Sequence, residues 1–321
     1  MKKIMFGFYK GLGDFISDSY IIREFSKGGY RTTVFVSNWL YEIAKYILPT
    51  VDVKKYSSSK DLLKEHYDYD YIFLTPNYLH PFTLEKRALW LYLLKLFIVK
   101  IKSKESVVIH PSYRELFYHY FQLKGTFLDE HFFFMSEKLI RKFFPYIHFK
   151  NPDWSYKGKP FINRVLIFPF SGNENKDYPV EKYALVAENL KNLGVNEVLF
   201  FVQSKDRKKL DFLEGRFPVE TKSLVGLAKT FKSTDLVISG DTGPAHLGGY
   251  FGANLLVLYG YTKPEKYRPI SSGKVITLQS KTGLLKDISH LEILALIKKN
   301  FSFKGREKND EQKAVNMYSN V

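Results

Sequence analysis

The sequence predicts an α/β protein built from two doubly wound, Rossmann-like parallel sheets facing across a cleft, and three observations carry that reading. Short apolar runs recur along the chain with helical stretches between them, the pattern of strands buried on both faces of a parallel sheet. The chain has 321 residues, 45% of them hydrophobic, which is enough to bury a sizeable core and suits two domains better than one. Residues 151–160 lack periodicity and hold two prolines and a glycine, so they read as a linker between two series of elements.

In the first series, residues 3–9 read as a strand, 10–14 as a turn and 15–26 as an amphipathic helix ending at Gly28-Gly29. Further strands are predicted at 32–37, 71–75 and 106–109. The second series has strands at 164–170, 197–203, 235–239, 254–259 and 274–278, alternating with helices at 179–193, 223–231, 244–251 and 288–299. Two segments, 88–99 and 132–144, are apolar and aromatic with interspersed lysine or arginine. Such a pattern fits a helix lying on a membrane surface, although packing on the sheet is the favoured reading. From about Gly305 onward the charged sequence reads as a frayed tail.

Lys and Arg number 49 against 33 acidic residues, a formal charge of +16, which attracts polyanions such as nucleic acid, anionic lipid or phosphorylated substrates. Residues 1–150 carry 23 basic and 15 acidic side chains and residues 151–321 carry 26 and 18, so each half holds +8 and the charge belongs to no single tail. There is no basic cluster or aromatic RNA-binding motif, and nucleic acid is not expected as a partner. Cysteine is absent, which excludes disulfides, thiolate metal sites and a cysteine nucleophile. With no stretch apolar enough to span a bilayer and no signal peptide, a cytoplasmic protein is expected.

The most informative segment is Asp241-Thr242-Gly243-Pro244-Ala245-His246, at a strand-to-helix handover. Pro244 fits the first helical position. The N–H groups of Thr242 and Gly243, with the positive end of the helix dipole, form an anion site, and Gly243 allows a phosphate to come close. His246, four residues after Thr242, can reach the same anion. The plainer alternative makes Asp241 a helix cap and His246 a core or surface histidine.

A second loop, 169–179, lies between a strand and a proline-initiated helix. In it Ser171 offers a hydroxyl, Gly172 permits close approach and Lys176 supplies a charge. Two anion sites on adjacent strands point to a diphosphate, and in doubly wound sheets ligands lie outside the carboxyl ends of the strands. At the end of the first strand, Gly11-Leu12-Gly13-Asp14 lacks the third glycine of a dinucleotide fingerprint, and an NAD site is rejected. Asp14 is left as a general base for an acceptor hydroxyl, or as the helix N-cap. Asp18, one turn later, either repels it or helps to position substrate. Gly13 and Asp18 are assigned to the acceptor side.

These motifs together resemble glycosyltransferase family 9, the ADP-heptose lipopolysaccharide heptosyltransferases, over nearly the whole length. Gly13-Asp14 matches the family's first turn, whose aspartate is taken as the catalytic base. Ser171, Gly172 and Lys176 match a Ser/Thr pair and lysine before a proline-initiated helix, with Gly172 replacing a hydroxyl residue. Asp241, Thr242, Gly243 and His246 match Asp-Thr-Gly-x-x-His, and Gly260, Thr262 and Pro264 match the Gly-x-Thr-x-Pro that follows. One position departs: where the family places an acidic residue thought to hold the donor ribose, this chain has Val225, leaving Glu220 or a different donor to account for ribose recognition. The aromatic segment 113–134 has no evident family counterpart.

The resemblance implies a GT-B-like fold and an inverting glycosyltransferase with no metal and no cofactor. Residues 1–155 would bind the acceptor, 156–300 the nucleotide-sugar, and 301–321 form a tail. The donor implied is ADP-heptose, and the acceptor a glycan or glycolipid hydroxyl of the lipopolysaccharide core or another surface glycan, with peripheral contact at the cytoplasmic membrane face. Asp14 would be catalytic. Ser171, Gly172, Lys176, Asp241, Thr242, Gly243 and His246 would bind the donor. The competing expectations are another nucleotide-sugar donor, a non-catalytic nucleotide-sugar-binding scaffold and a nucleic-acid-binding protein.

Overall fold

A computed structural model describes residues 1–57, 68–74, 97, 106–109, 131–147, 160–171 and 176–303. The predicted segment 88–99 lies outside these except for an exposed Phe97, as does most of 113–134 and everything after residue 303. The chain divides into two compact units, Met1–Asn151 and Pro152–Val321.

The first unit is a five-stranded parallel sheet in the order β3-β2-β1-β4-β5, with β1 Lys3–Tyr9, β2 Arg31–Ser37, β3 Asp52–Tyr56, β4 Tyr71–Leu74 and β5 Ser106–Ile109. The central strand β1 is buried from Ile4 to Tyr9, as a strand covered on both faces must be. Helix α1, Leu12–Lys27, begins three residues earlier than the sequence predicts. Gly11 is its N-cap, so Gly13 and Asp14 are first-turn helical residues rather than parts of a flexible turn, and Asp14 is not the cap. The glycines disguise this start, but a glycine near a helix end carries little of the penalty it has in the middle.

Short α2, Tyr41–Ile47, leads into β3, an edge strand of sequence DVKKY that sequence patterning missed because its charges hide the alternation. Helix α3, Phe132–Arg141, packs against α1. Phe133, Met135, Ile140 and Phe144 are buried, and the Phe144 ring meets Phe25, Tyr30, Tyr71 and Phe73 at 4.7–6.1 Å between centroids. Much of the aromatic character of 132–144 is therefore core; Phe143 and Tyr146 remain exposed. Among the described residues no helix is long and apolar enough to cross a membrane.

The second unit is a six-stranded parallel sheet in the order β11-β10-β9-β6-β7-β8. Its strands are β6 Arg164–Phe168, β7 Glu197–Phe201, β8 Val219–Glu220, β9 Leu236–Gly240, β10 Asn254–Tyr259 and β11 Val275–Gln279. The helices between them are α4 Val180–Asn192, α5 Leu224–Phe231, α6 Gly243–Tyr250, α7 Pro264–Tyr267 and α8 His290–Asn300. β8, two residues at the sheet edge, was not predicted. Caps mark several helix starts: the Ser223 side chain accepts from Gly226 N–H, and Ser289 with Glu292 forms a capping box. The core continues past residue 300, with Phe301 and Phe303 buried and Ser302 bridging to Phe161.

Both sheets reverse their strand order at one place, between β1 and β4 in the first unit and between β6 and β9 in the second. Such a switch point leaves diverging connections and a crevice at the strand ends, where doubly wound sheets bind ligands.

Candidate active site

The loops after β6 and β9 meet at the switch point of the second unit. Gly240 ends β9 and is fully enclosed, and a Cβ there would lie 3.0 Å from the Lys176 carbonyl oxygen, so glycine lets the two loops touch. This contact brings Lys176 Nζ within 3.0 Å of Asp241 Oδ2, forming an ion pair across 65 residues of sequence. His246 Nε2 lies 3.9 Å from Asp241 Oδ1, beyond hydrogen-bond length but close enough to act through charge. Burial alone would push the Asp241 carboxyl up; His246 and Lys176 outweigh it and hold it down at about 2. Asp241 is therefore an ionised anchor between two nitrogen bases.

Helix α6 starts beside this anchor. Its N-cap is Thr242, extended at φ −138° and ψ 160°, and its first residue is Gly243, with Pro244 second. Asp241 is thus outside the helix rather than its cap, and Pro244 stands one place later than predicted. The Thr242 carbonyl accepts from Ala245 and His246, so the N–H groups of Thr242 and Gly243 precede the first helical hydrogen bond and lie at the positive end of the dipole. The Lys176 ammonium also sits 5.8 Å from the centroid of the Tyr261 ring. Tyr261 follows β10, beside a Gly260 whose Cβ would lie 2.7 Å from the Gly283 carbonyl. Gln279 Nε2 donates to the Gly260 and Thr262 carbonyls at 2.8 and 3.0 Å, pinning this third loop, and Thr262 is buried.

Ser171 and Asp177 close the loop after β6, the Ser171 N–H donating to Asp177 Oδ1 at 2.7 Å. Burial raises the Asp177 carboxyl above its ordinary range, against the lowering effect of these Ser171 hydrogen bonds. Gly172 lies outside the described residues. Val225 occupies the first turn of α5, half-buried. Glu220, at the end of edge strand β8, has Oε2 2.7 Å from Lys222 Nζ. It sits on the far side of β7 from the switch point.

In the first unit, Asp14 is half-buried in the first turn of α1, directly after the switch-point strand β1. Asp18 is not at the surface: it is 2% exposed, with Oδ2 accepting from Tyr9 Oη at 2.8 Å and Oδ1 from Ser136 Oγ at 2.9 Å. Desolvation pushes its carboxyl up to about 7, against the two hydroxyl donors and with help from the neighbouring Asp14 charge. Among the described residues, no group of three or more His, Asp and Glu side chains is placed to hold a metal ion.

Residues 100–296 match the sequence profile of glycosyltransferase family 9 (heptosyltransferase), more than half of the chain. The chain belongs to glycosyltransferase family 9. A curated relative, the lipopolysaccharide core heptosyltransferase OpsX of Haemophilus influenzae, is 28% identical over 117 residues, which is 34% of this chain and 33% of that protein. The matched stretch thus spans about a third of the relative. Among solved structures, a family 9 glycosyltransferase of Veillonella parvula aligns with TM-score 0.67 at 17% identity, covering 93% of this chain and 96% of that one. The E. coli heptosyltransferase WaaC, solved with ADP, aligns with TM-score 0.67 at 15% identity, covering 93% and 99%. The fold is GT-B-like, with two parallel-sheet α/β domains.

Sequence reasoning assigned Lys176, Asp241 and His246 to one donor site but did not foresee that Asp241 contacts both Lys176 and His246, and it missed Tyr261 and Gln279. The signal for Tyr261 was available, since it lies inside the Gly260-x-Thr262-x-Pro264 pattern.

Proposed function

We propose that this member of glycosyltransferase family 9 is an inverting transferase that moves a sugar from a nucleoside-diphosphate donor to a glycan or glycolipid hydroxyl. The observation that carries the reading is the Lys176–Asp241–His246 group beside the N-terminus of α6, at the switch point of the second sheet. A diphosphate there meets the N–H groups of Thr242 and Gly243, the Lys176 ammonium and the His246 ring, with Ser171 on the same loop as Lys176. Asp241 carries negative charge and would repel a phosphate, so its role is to hold Lys176 and His246 in place. Asp14 takes the proton from the acceptor hydroxyl while that oxygen attacks the anomeric carbon. The bond from that carbon to the diphosphate breaks, and the leaving negative charge is met by the preorganised donors of the second unit.

WaaC has been solved with ADP and with ADP-2-deoxy-2-fluoro heptose, which supports ADP-heptose as donor and a lipopolysaccharide core or other surface glycan as acceptor. In this reading the enzyme works in the cytoplasm and meets its acceptor at the membrane face, which suits a +16 chain. Val225 favours a second reading, the same transfer with a different nucleotide-sugar, because an aliphatic side chain cannot accept ribose hydroxyl hydrogen bonds and Glu220 is engaged by Lys222. The test is a transfer assay with ADP-heptose, UDP-sugars and GDP-sugars, using lipopolysaccharide inner core as acceptor, for wild type and Asp14→Ala. Transfer by wild type that is lost in the variant supports the reading; binding of the donors without turnover by wild type overturns it.

A further inference from the structure

Asp18 is a fully enclosed carboxyl on the catalytic unit's first helix that the proposed reaction does not use. It lies four residues, one helical turn, after Asp14, so the two carboxyls share one face of α1. Every oxygen of Asp18 is engaged by a neutral hydroxyl, Tyr9 from β1 on Oδ2 and Ser136 from α3 on Oδ1. The charged group that acts on it is Asp14. On α3, Glu137 is taken by Arg141 at 2.6 Å, and just before it His131 Nδ1 accepts from the Phe133 N–H. Among the described residues no cation pairs with Asp18, unlike Asp241 in the other unit. A purely structural link between β1, α1 and α3 would be made as well by an amide or hydroxyl, without the cost of burying an acid.

We propose that Asp18 is a positioning residue for Asp14: clamped between Tyr9 and Ser136, it exchanges a proton with solvent and sets the basicity of Asp14 through its own charge. This rests on the reading of Asp14 as the base. With Asp18 neutral, its charge is absent beside Asp14, and Asp14 is the weaker base. When Asp18 loses its proton to solvent, the added negative charge beside Asp14 makes it hold a proton more tightly and accept one from the acceptor more readily. Desolvation of Asp18 places its proton loss near neutral pH.

The experiment follows both carboxyl carbons by NMR against pH in the full chain labelled with ¹³C-aspartate, alongside kcat for ADP-heptose transfer. Wild type is expected to show one carboxyl titrating about pH 7, a simultaneous displacement of the Asp14 signal, and a rise of kcat by a few-fold through the same interval. Asp18→Asn should abolish all three while leaving the donor KM unchanged. Tyr9→Phe and Ser136→Ala each remove a donor to the ionised form and should move the step to higher pH. They also keep the proposal testable if Asp18→Asn does not fold. A step that survives in Asp18→Asn, or that stays in place in both hydroxyl variants, overturns the proposal. If Asp14→Ala is inactive while Asp18→Asn keeps the wild-type pH profile, the proposal fails and the base assignment stands. Full transfer by Asp14→Ala removes the base assignment, and with it the proposal.

Discussion

Asp241 and Asp18 are both buried carboxyls at the switch points of their sheets, and they are displaced in opposite directions. Asp241, with Lys176 at 3.0 Å and His246 at 3.9 Å, is held down at about 2, whereas Asp18, with two hydroxyls and a like charge as its neighbours among the described residues, is pushed up to about 7 by desolvation. Burial is common to both; the sign is decided by whether a cation comes with it. The first unit therefore keeps an acid that can change charge near neutral pH, and the second keeps a fixed anion that orders two nitrogen bases around a helix N-terminus.

The largest expected effect is on the acceptor side. Asp14→Ala should lower kcat for transfer by about 10²- to 10⁴-fold, the usual contribution of a general base, while the affinity for ADP in calorimetry stays near wild type. Loss of ADP affinity instead would move Asp14 to the donor side and end the division of labour between the units. Next, Lys176→Ala leaves Asp241 buried without its direct partner and should destabilise the fold by about 3 kcal/mol in urea denaturation. Lys176→Ala together with Asp241→Asn should recover part of that loss.

Asp18→Asn sharpens the comparison through stability. Because folded Asp18 binds its proton more tightly than the unfolded chain, its contribution is neutral below about pH 4 and increasingly unfavourable as pH rises to about 7. Asp18→Asn should accordingly match wild type near pH 4 and be more stable near pH 7 by a few kcal/mol. Asp241 works in the other sense: its stabilisation is present above the unfolded value of 3.8 and is lost only as pH falls toward about 2. The smallest effect belongs to Val225→Glu, which should tighten ADP by about tenfold if a ribose hydroxyl lies against that turn, the worth of one hydrogen bond to a charged group. No change would favour a different donor.

Much of this was legible in the sequence because the central strands of parallel sheets are buried on both faces and read as apolar runs: β1, β6, β9 and β10 all announce themselves in this way. Of the edge strands, β5 and β11 were legible too, but β3 and β8 were not, since β3 is exposed enough to tolerate Asp52, Lys54 and Lys55, and β8 is only two residues long. Likewise His246 was legible by its spacing from Thr242 along one helix turn. The neighbouring of the two anion-site strands was expected and holds, but the ion pair of Lys176 with Asp241 was not, because strand adjacency does not say which side chains meet. Asp18 reads as an acceptor-side carboxylate that repels or positions substrate until Ser136, 118 residues away, is placed against it.

The most direct test of the central claim is calorimetric titration of ADP into the wild-type chain and into Lys176→Ala. The account predicts binding to wild type that weakens by at least tenfold in the variant, with the variant's fold confirmed in the same sample by circular dichroism. Equal affinity in the two proteins would place the nucleotide away from the Lys176–Asp241–His246 group and contradict the account.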